Sequence, residues 1–76
     1  MFDKKFFGEC IRRLRTERGV SQPALAEYLG VSKQAVSMIE SGKRAPSPDV
    51  FISLADFFDV SLDYLVGRSD NPRRLP

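Results

Sequence analysis

Residues 21–43, SQPALAEYLGVSKQAVSMIESGK, hold two short helical patterns joined through Gly30, Val31 and Ser32. Ser21 has the right type for an N-cap, and Pro23 falls in the first turn, where its missing N–H costs little. Leu25 and Leu29 are apolar and turn inward. Ala26 is small where the two helices approach closely, and Gly30 supplies a positive φ without a Cβ penalty. Val31 plugs the turn. Ser32 caps the second helix, Val36 and Ile39 anchor it, and Gly42 stands just beyond its end near Glu40. A tight turn holding one helix across another is a helix-turn-helix, placed here at about residues 22–41.

The flanking sequence continues the helical pattern. From about Lys4 to Arg18, Phe7, Ile11 and Leu14 recur at i, i+4 and i+7, with Arg12, Arg13 and Arg15 around the rest of the circumference, and Gly19 closes the segment. Ser47 followed by Pro48 starts a fourth helix running to about Phe58. At 100° per residue, its apolar side chains Phe57, Val50, Leu54, Phe58, Phe51 and Ala55 cover about 160°, with Ile52 outside that arc among aspartates. Such an arc is wider than one buried stripe needs. Ser61 caps a last short helix with Leu62 and Leu65 turned inward, and Gly67 stops it. The fold class is therefore all-α, as a five-helix domain over residues 1–67. Residues 68–76, with two prolines and three arginines, read as a loose basic tail.

Composition narrows the function. The chain has 76 residues, of which 42% are hydrophobic and 29% charged, enough for one small core and no second domain. With one cysteine and no histidine there is no internal disulfide, no Cys/His metal set and no imidazole for acid–base work. Cys10 reads as a small packing residue. The longest uncharged apolar run, Val50 to Ala55, is far short of the roughly 20 residues that span a bilayer, and the charged N-terminus lacks the apolar stretch of a secretion signal. A soluble protein of a reducing compartment, with no cofactor and no catalysis, is expected. Residues 1–44 carry nine Lys/Arg against five Asp/Glu, whereas residues 45–67 carry four aspartates and no cation. A basic half and an acidic half suit a protein that turns one side toward a polyanion.

The stretches IRRLRTERGVSQPALAEYLGVSKQAVSMIESGKRAPS (residues 11–47) and LADFFDVSLDYLVG (residues 54–67) resemble the Cro and phage-repressor-like helix-turn-helix family, also called the XRE family. The first helix, the IESGK turn, the Pro-Ser start of helix four and the VSLDYL segment agree with it in order and spacing. The resemblance implies a lambda-repressor-like DNA-binding domain, bacterial or phage-encoded and cytoplasmic, that acts in transcriptional control. Two positions depart from the pattern: Pro23 replaces the acidic residue common after the Ser-Gln pair, and Met38 stands where polar or basic residues are frequent.

With Val36 and Ile39 inward, helical spacing puts Gln34, Ser37, Met38 and Ser41 on one outward stripe, with Lys33 beside it. On duplex DNA, Gln34 can pair with adenine N6 and N7, and Lys33 with guanine O6/N7 or a phosphate. Ser37 is permissive, and Met38 can touch a thymine methyl. The bland alternative is a solvated helix face. The resemblance gives Gln22 a phosphate-binding, bracing role, and makes Arg15 and Glu40 an ion pair that fixes the reading helix against helix one. Ser41, Lys43 and Arg44 follow that helix, where the chain would run beside the sugar-phosphate backbone. Arg12, Arg13 and Arg18 read as a solvated basic face.

One copy offers three or four base-reading side chains at about 1–3 kcal/mol per good bidentate pair, against the roughly 4–10 kcal/mol that separates operators from random DNA. A homodimer on an inverted repeat closes that gap, with Ile52, Phe57, Tyr64 and Val66 as candidate dimer contacts. The expected function is a sequence-specific DNA-binding transcriptional regulator, in its simplest form a repressor. The alternatives are the DNA-binding antitoxin of a toxin–antitoxin pair and a helical protein-interaction adaptor that has lost DNA binding.

Overall fold

Each helix opens on a side chain that closes its first turn. The computed structural model describes residues 2–74; Met1, Leu75 and Pro76, at the outer ends of the domain and tail assigned above, lie outside the described residues. The chain forms α1 (Lys4–Glu17), α2 (Gln22–Leu29), α3 (Lys33–Glu40), α4 (Pro48–Phe58) and α5 (Leu62–Leu65), with no strand among the described residues. The hydroxyls of Ser21, Ser32, Ser47 and Ser61 accept from the backbone N–H three residues on, at 3.1, 3.0, 3.2 and 3.0 Å, and the Asp3 carboxylate does so for Phe6 at 3.0 Å. Each such cap stabilises its helix by about 0.5–2 kcal/mol.

The turn between α2 and α3 is set by Gly30, at φ 73°, and by a Val31 N–H that reaches back to the Ala26 carbonyl at 3.0 Å. That chain reversal satisfies carbonyls the helix end would otherwise leave open. The end of α4 is made the same way without a glycine: Asp59 sits at φ 54°, and the Val60 N–H bonds to the Ala55 carbonyl at 3.1 Å. Aspartate is among the few side chains that tolerate this region.

Phe7, Ile11 and Leu14 of α1, Leu25 and Ala26 of α2, Val36 and Ile39 of α3, Leu54, Ala55 and Phe58 of α4, Val60, and Leu65 of α5 form one buried cluster, with Cys10 among them. Leu29, Val31, Val50, Phe51 and Phe57 pack on it from partly covered positions. Leu62 departs from the expectation: it is 41% exposed. It holds the first position of a helix only one turn long, at the rim beside Ile52, so Leu65 is the buried residue of α5 and Tyr64 packs on the core from a half-buried position. Helix α1 packs on α3, and α2 on α3. The α1–α3 approach is closest at Gly8, where an added Cβ would lie 2.3 Å from the Ile39 carbonyl oxygen and 2.6 Å from that of Glu40. The radius of gyration, 11.3 Å, matches the roughly 11 Å of a compact chain of this length.

Residues 68–74 carry no helix but lie along α4 and α5. The Ser61 N–H donates to the Pro72 carbonyl at 3.0 Å, and Arg74 Nη2 donates to Asp56 Oδ1 at 2.8 Å, with Asp59 at 3.5 Å. These pairs are exposed, and such pairs contribute about 0–1 kcal/mol.

Candidate nucleic-acid interface

The inner face of α3 is fixed before its outer face can be used. Val36 and Ile39 are buried in the common core, and Ala35 lies at the margin between faces, almost covered. Glu40, the last residue of the helix, is 3% exposed, the one buried charged residue among those described. Its carboxylate accepts from Arg15 Nε at 2.6 Å and Arg15 Nη2 at 3.1 Å, a two-pronged contact that matches the guanidinium fork. Arg15 also donates to the Val20 carbonyl at 2.8 Å, so α1, the α1–α2 turn and α3 are tied at one point. The bond to Glu40 raises the Arg15 guanidinium above the ordinary arginine value despite its partial burial, so it stays charged.

Two further groups join this pair. The Gln22 amide donates to Glu40 Oε1 at 3.0 Å, and the exposed Arg12 brings its Nε to 3.6 Å of the same oxygen. Gln22 thus braces α3 through Glu40, a contact that sequence reading left out of its account of this residue. Among the described residues no buried side-chain nitrogen or oxygen lacks a partner. A buried carboxylate with its acceptor sites filled specifies geometry more than it adds stability.

On the other face, Lys33, Gln34, Ser37 and Met38 are all exposed, Met38 at 41%. Ser41 is exposed at the helix end, and its hydroxyl donates back to the Met38 carbonyl at 3.1 Å. Gly42, at φ 79°, then reverses the chain, and the N–H groups of Lys43 and Arg44 both point to the Met38 carbonyl, at 3.0 and 3.3 Å. Lys43 and Arg44 are exposed beside that helix end. The structure therefore brings seven of the eight candidate DNA-facing residues to one surface strip along and after α3, with Gln22 behind it on α2.

The other candidates separate. Arg13 and Arg18 are exposed but engaged: Arg13 Nη2 donates to the Tyr64 hydroxyl at 2.8 Å, and the Arg18 guanidinium lies 5.3 Å from the centre of the Phe58 ring. Tyr64 is thereby held against α1. Phe57 is half-buried beneath Tyr28, ring centres 4.7 Å apart, and Val66 is half-buried. Of the four candidate dimer contacts only Ile52 is open, at 51%, and its neighbour in a shallow depression of about 300 Å³ is Leu62, with Asp56, Asp63 and Arg74 at the rim. Among the described residues no cluster of His, Cys, Asp and Glu is placed to hold a metal, and no helix is long and apolar enough to cross a membrane.

Five helices with a helix-turn-helix at their centre and a braced, outwardly polar second helix define a lambda-repressor-like domain. The family model for helix-turn-helix domains, HTH_3, matches residues 11–65, and the chain belongs to that family. It superposes on the P22 c2 repressor, solved in complex with synthetic operator 9T, with a TM-score of 0.77 and 32% identity over 83% of this chain and 96% of that one. The restriction-modification controller protein C.AhdI of Aeromonas hydrophila gives a TM-score of 0.75 and 35% identity, again over 83% and 96% of the two chains. Among curated proteins, the SPbeta prophage-derived HTH-type transcriptional regulator YonR of Bacillus subtilis is 35% identical over 79% of this chain and 56% of its own length. The chain spans between 14% and 58% of the length of the first curated relatives it matches, all of them HTH-type transcriptional regulators.

Proposed function

We propose that this chain binds double-stranded DNA sequence-specifically to regulate transcription, as a repressor that occupies an inverted-repeat operator as a homodimer. The observation that carries the reading is the division of α3 into a face locked by Val36, Ile39 and the Glu40 network and a face on which Lys33, Gln34, Ser37 and Met38 stand free. A helix is about 10–12 Å across and the major groove about 12 Å wide, so α3 can enter with those four side chains toward the base edges. Gln34 reads adenine, Lys33 a guanine or phosphate, and Met38 a thymine methyl, while Ser37 tolerates several bases. Ser41, Lys43 and Arg44 then lie over the phosphate backbone, and Gln22 holds the register by bracing Glu40 and offering its exposed edge to a phosphate.

Residues 1–67 are the DNA-binding unit in this reading, with the basic residues 68–76 appended, and its place of work is the cytoplasm. No step of the role needs a catalyst or cofactor. Two copies supply the discrimination that one reading helix lacks. The apolar pair Ile52 and Leu62 is the open surface on which they would meet. The test is a fluorescence-anisotropy titration against labelled duplexes at several salt concentrations. A DNA binder that neutralises Z phosphates loses affinity with a log–log slope of about −0.9Z. Negligible binding at low salt overturns the proposal and favours the protein-interaction adaptor.

A further inference from the structure

The cations of α1 fall into two sets. Along its middle and end every arginine is engaged among the described residues: Arg12 and Arg15 with Glu40, Arg13 with Tyr64 and Glu17, and Arg18 with the Phe58 ring. At its start, Lys4 and Lys5 are exposed and make no ion pair among the described residues. The fold carries these two to Lys43 and Arg44. Gly42 lies so close to the first turn of α1 that a Cβ on it would stand 2.9 Å from Lys5 Cα and 3.3 Å from Lys5 N. Two segments with two cations each therefore abut, edge to edge. The one carboxylate lining the depression between them, that of Asp3, accepts from the Phe6 N–H.

Four like charges on touching segments repel one another, none of the four makes an ion pair among the described residues, and a line of phosphates relieves the repulsion. Their spread and exposure suit an extended polyanion, since a single small anion would need donors converging on one point. We infer that Lys4 and Lys5 join Lys43 and Arg44 in one phosphate-binding surface, so that the backbone footprint extends from the turn after α3 onto the start of α1. The inference rests on the DNA-binding reading above and adds residues that the sequence pattern of α3 does not reach.

The experiment compares the wild-type chain with K4Q/K5Q and with R68Q/R73Q, which removes the same two charges from the exposed segment after α5. Each is titrated by anisotropy against a fluorescein-labelled duplex of mixed sequence across a salt series. K4Q/K5Q should flatten the log–log salt slope by about 1.8, the share of two phosphate contacts, while R68Q/R73Q keeps the wild-type slope. Equal slopes for wild type and K4Q/K5Q, or equal flattening by both variants, overturn the inference while leaving DNA binding intact. Absence of salt-dependent binding by the wild type overturns the DNA reading itself. Lysine acylation of the unaltered protein gives a second readout, free of any folding defect in the variant: duplex should protect Lys4 and Lys5, and full reactivity of both in the complex counts against the inference.

Discussion

Replacing Glu40 by methionine keeps much of the side-chain length but removes the carboxylate that joins α1, α2 and α3. The Arg15 guanidinium then loses bonds of 2.6 and 3.1 Å and keeps only the Val20 carbonyl at 2.8 Å, and the Gln22 amide loses one of 3.0 Å. Breaking one side of a buried pair costs about 3–5 kcal/mol, because the remaining charge stays desolvated. Arg15 retains 13% side-chain exposure and can turn partly to water, which points to the lower end, near 3 kcal/mol. A domain of this size is stable by roughly 4–11 kcal/mol, and each kcal/mol moves its midpoint by about 4–8 °C, so E40M should melt at least about 12 °C early. R15M/E40M removes both charges together and should lose less stability than E40M alone. Urea unfolding of wild type, R15M, E40M and the double variant, read by helical circular dichroism, gives the cycle. Additive losses, or an E40M cost below about 1 kcal/mol, refute the claim that this pair holds α3 in place.

Three further outcomes follow from particular contacts. Gly8→Ala gains up to about 1 kcal/mol of helix propensity but drives a Cβ into the Ile39 carbonyl, 2.3 Å away, and should be net destabilising by about 1–3 kcal/mol in urea unfolding; a more stable G8A contradicts the close approach. Ile52→Lys should leave the melting temperature within a few degrees, since the residue is 51% exposed, yet abolish the two-to-one complex with inverted-repeat duplex in sedimentation; persistence of that complex removes Ile52 from the dimer surface. Burial pushes the Cys10 thiol up, outweighing the opposing pull of Arg13, so it should react with iodoacetamide more slowly than an exposed thiol. By linkage, a raised folded value means that the native state holds its proton longer. This contribution to stability is present below the ordinary thiol range and lost as pH climbs through it; unfolding free energies that rise there contradict the burial.

Helix boundaries were legible because the chain punctuates them locally. Ser21, Ser32, Ser47 and Ser61 each sit one residue before a helix and cap it, and Gly30 takes the left-handed turn that the crossing of α2 and α3 demands. The end of α4 was less legible, since Asp59 does there what a glycine does elsewhere. The Arg15–Glu40 pair came from family resemblance, whereas the bond between Gln22 and Glu40 and that between Arg13 and Tyr64 span 18 and 51 positions and depend on how the helices dock. No local pattern encodes such pairs. Gly8 did leave a signal: a glycine inside a helix costs about 1 kcal/mol against alanine, which is tolerated where another backbone must come close. Leu62 misled because helical spacing assigns a face without saying where the domain ends, and α5 meets the core through Leu65 and Tyr64.

The most direct measurement is selection from a random duplex pool by the wild-type chain and by Gln34→Ala and Lys43→Ala. The wild type should enrich two inverted half-sites about one helical turn apart. Gln34→Ala should enrich the same half-sites with preference relaxed at one base position, and Lys43→Ala should keep every preference while binding all sequences more weakly. A wild-type pool that stays random, or a Gln34→Ala pool indistinguishable from the wild type, contradicts the assignment of the exposed face of α3 as the surface that reads DNA.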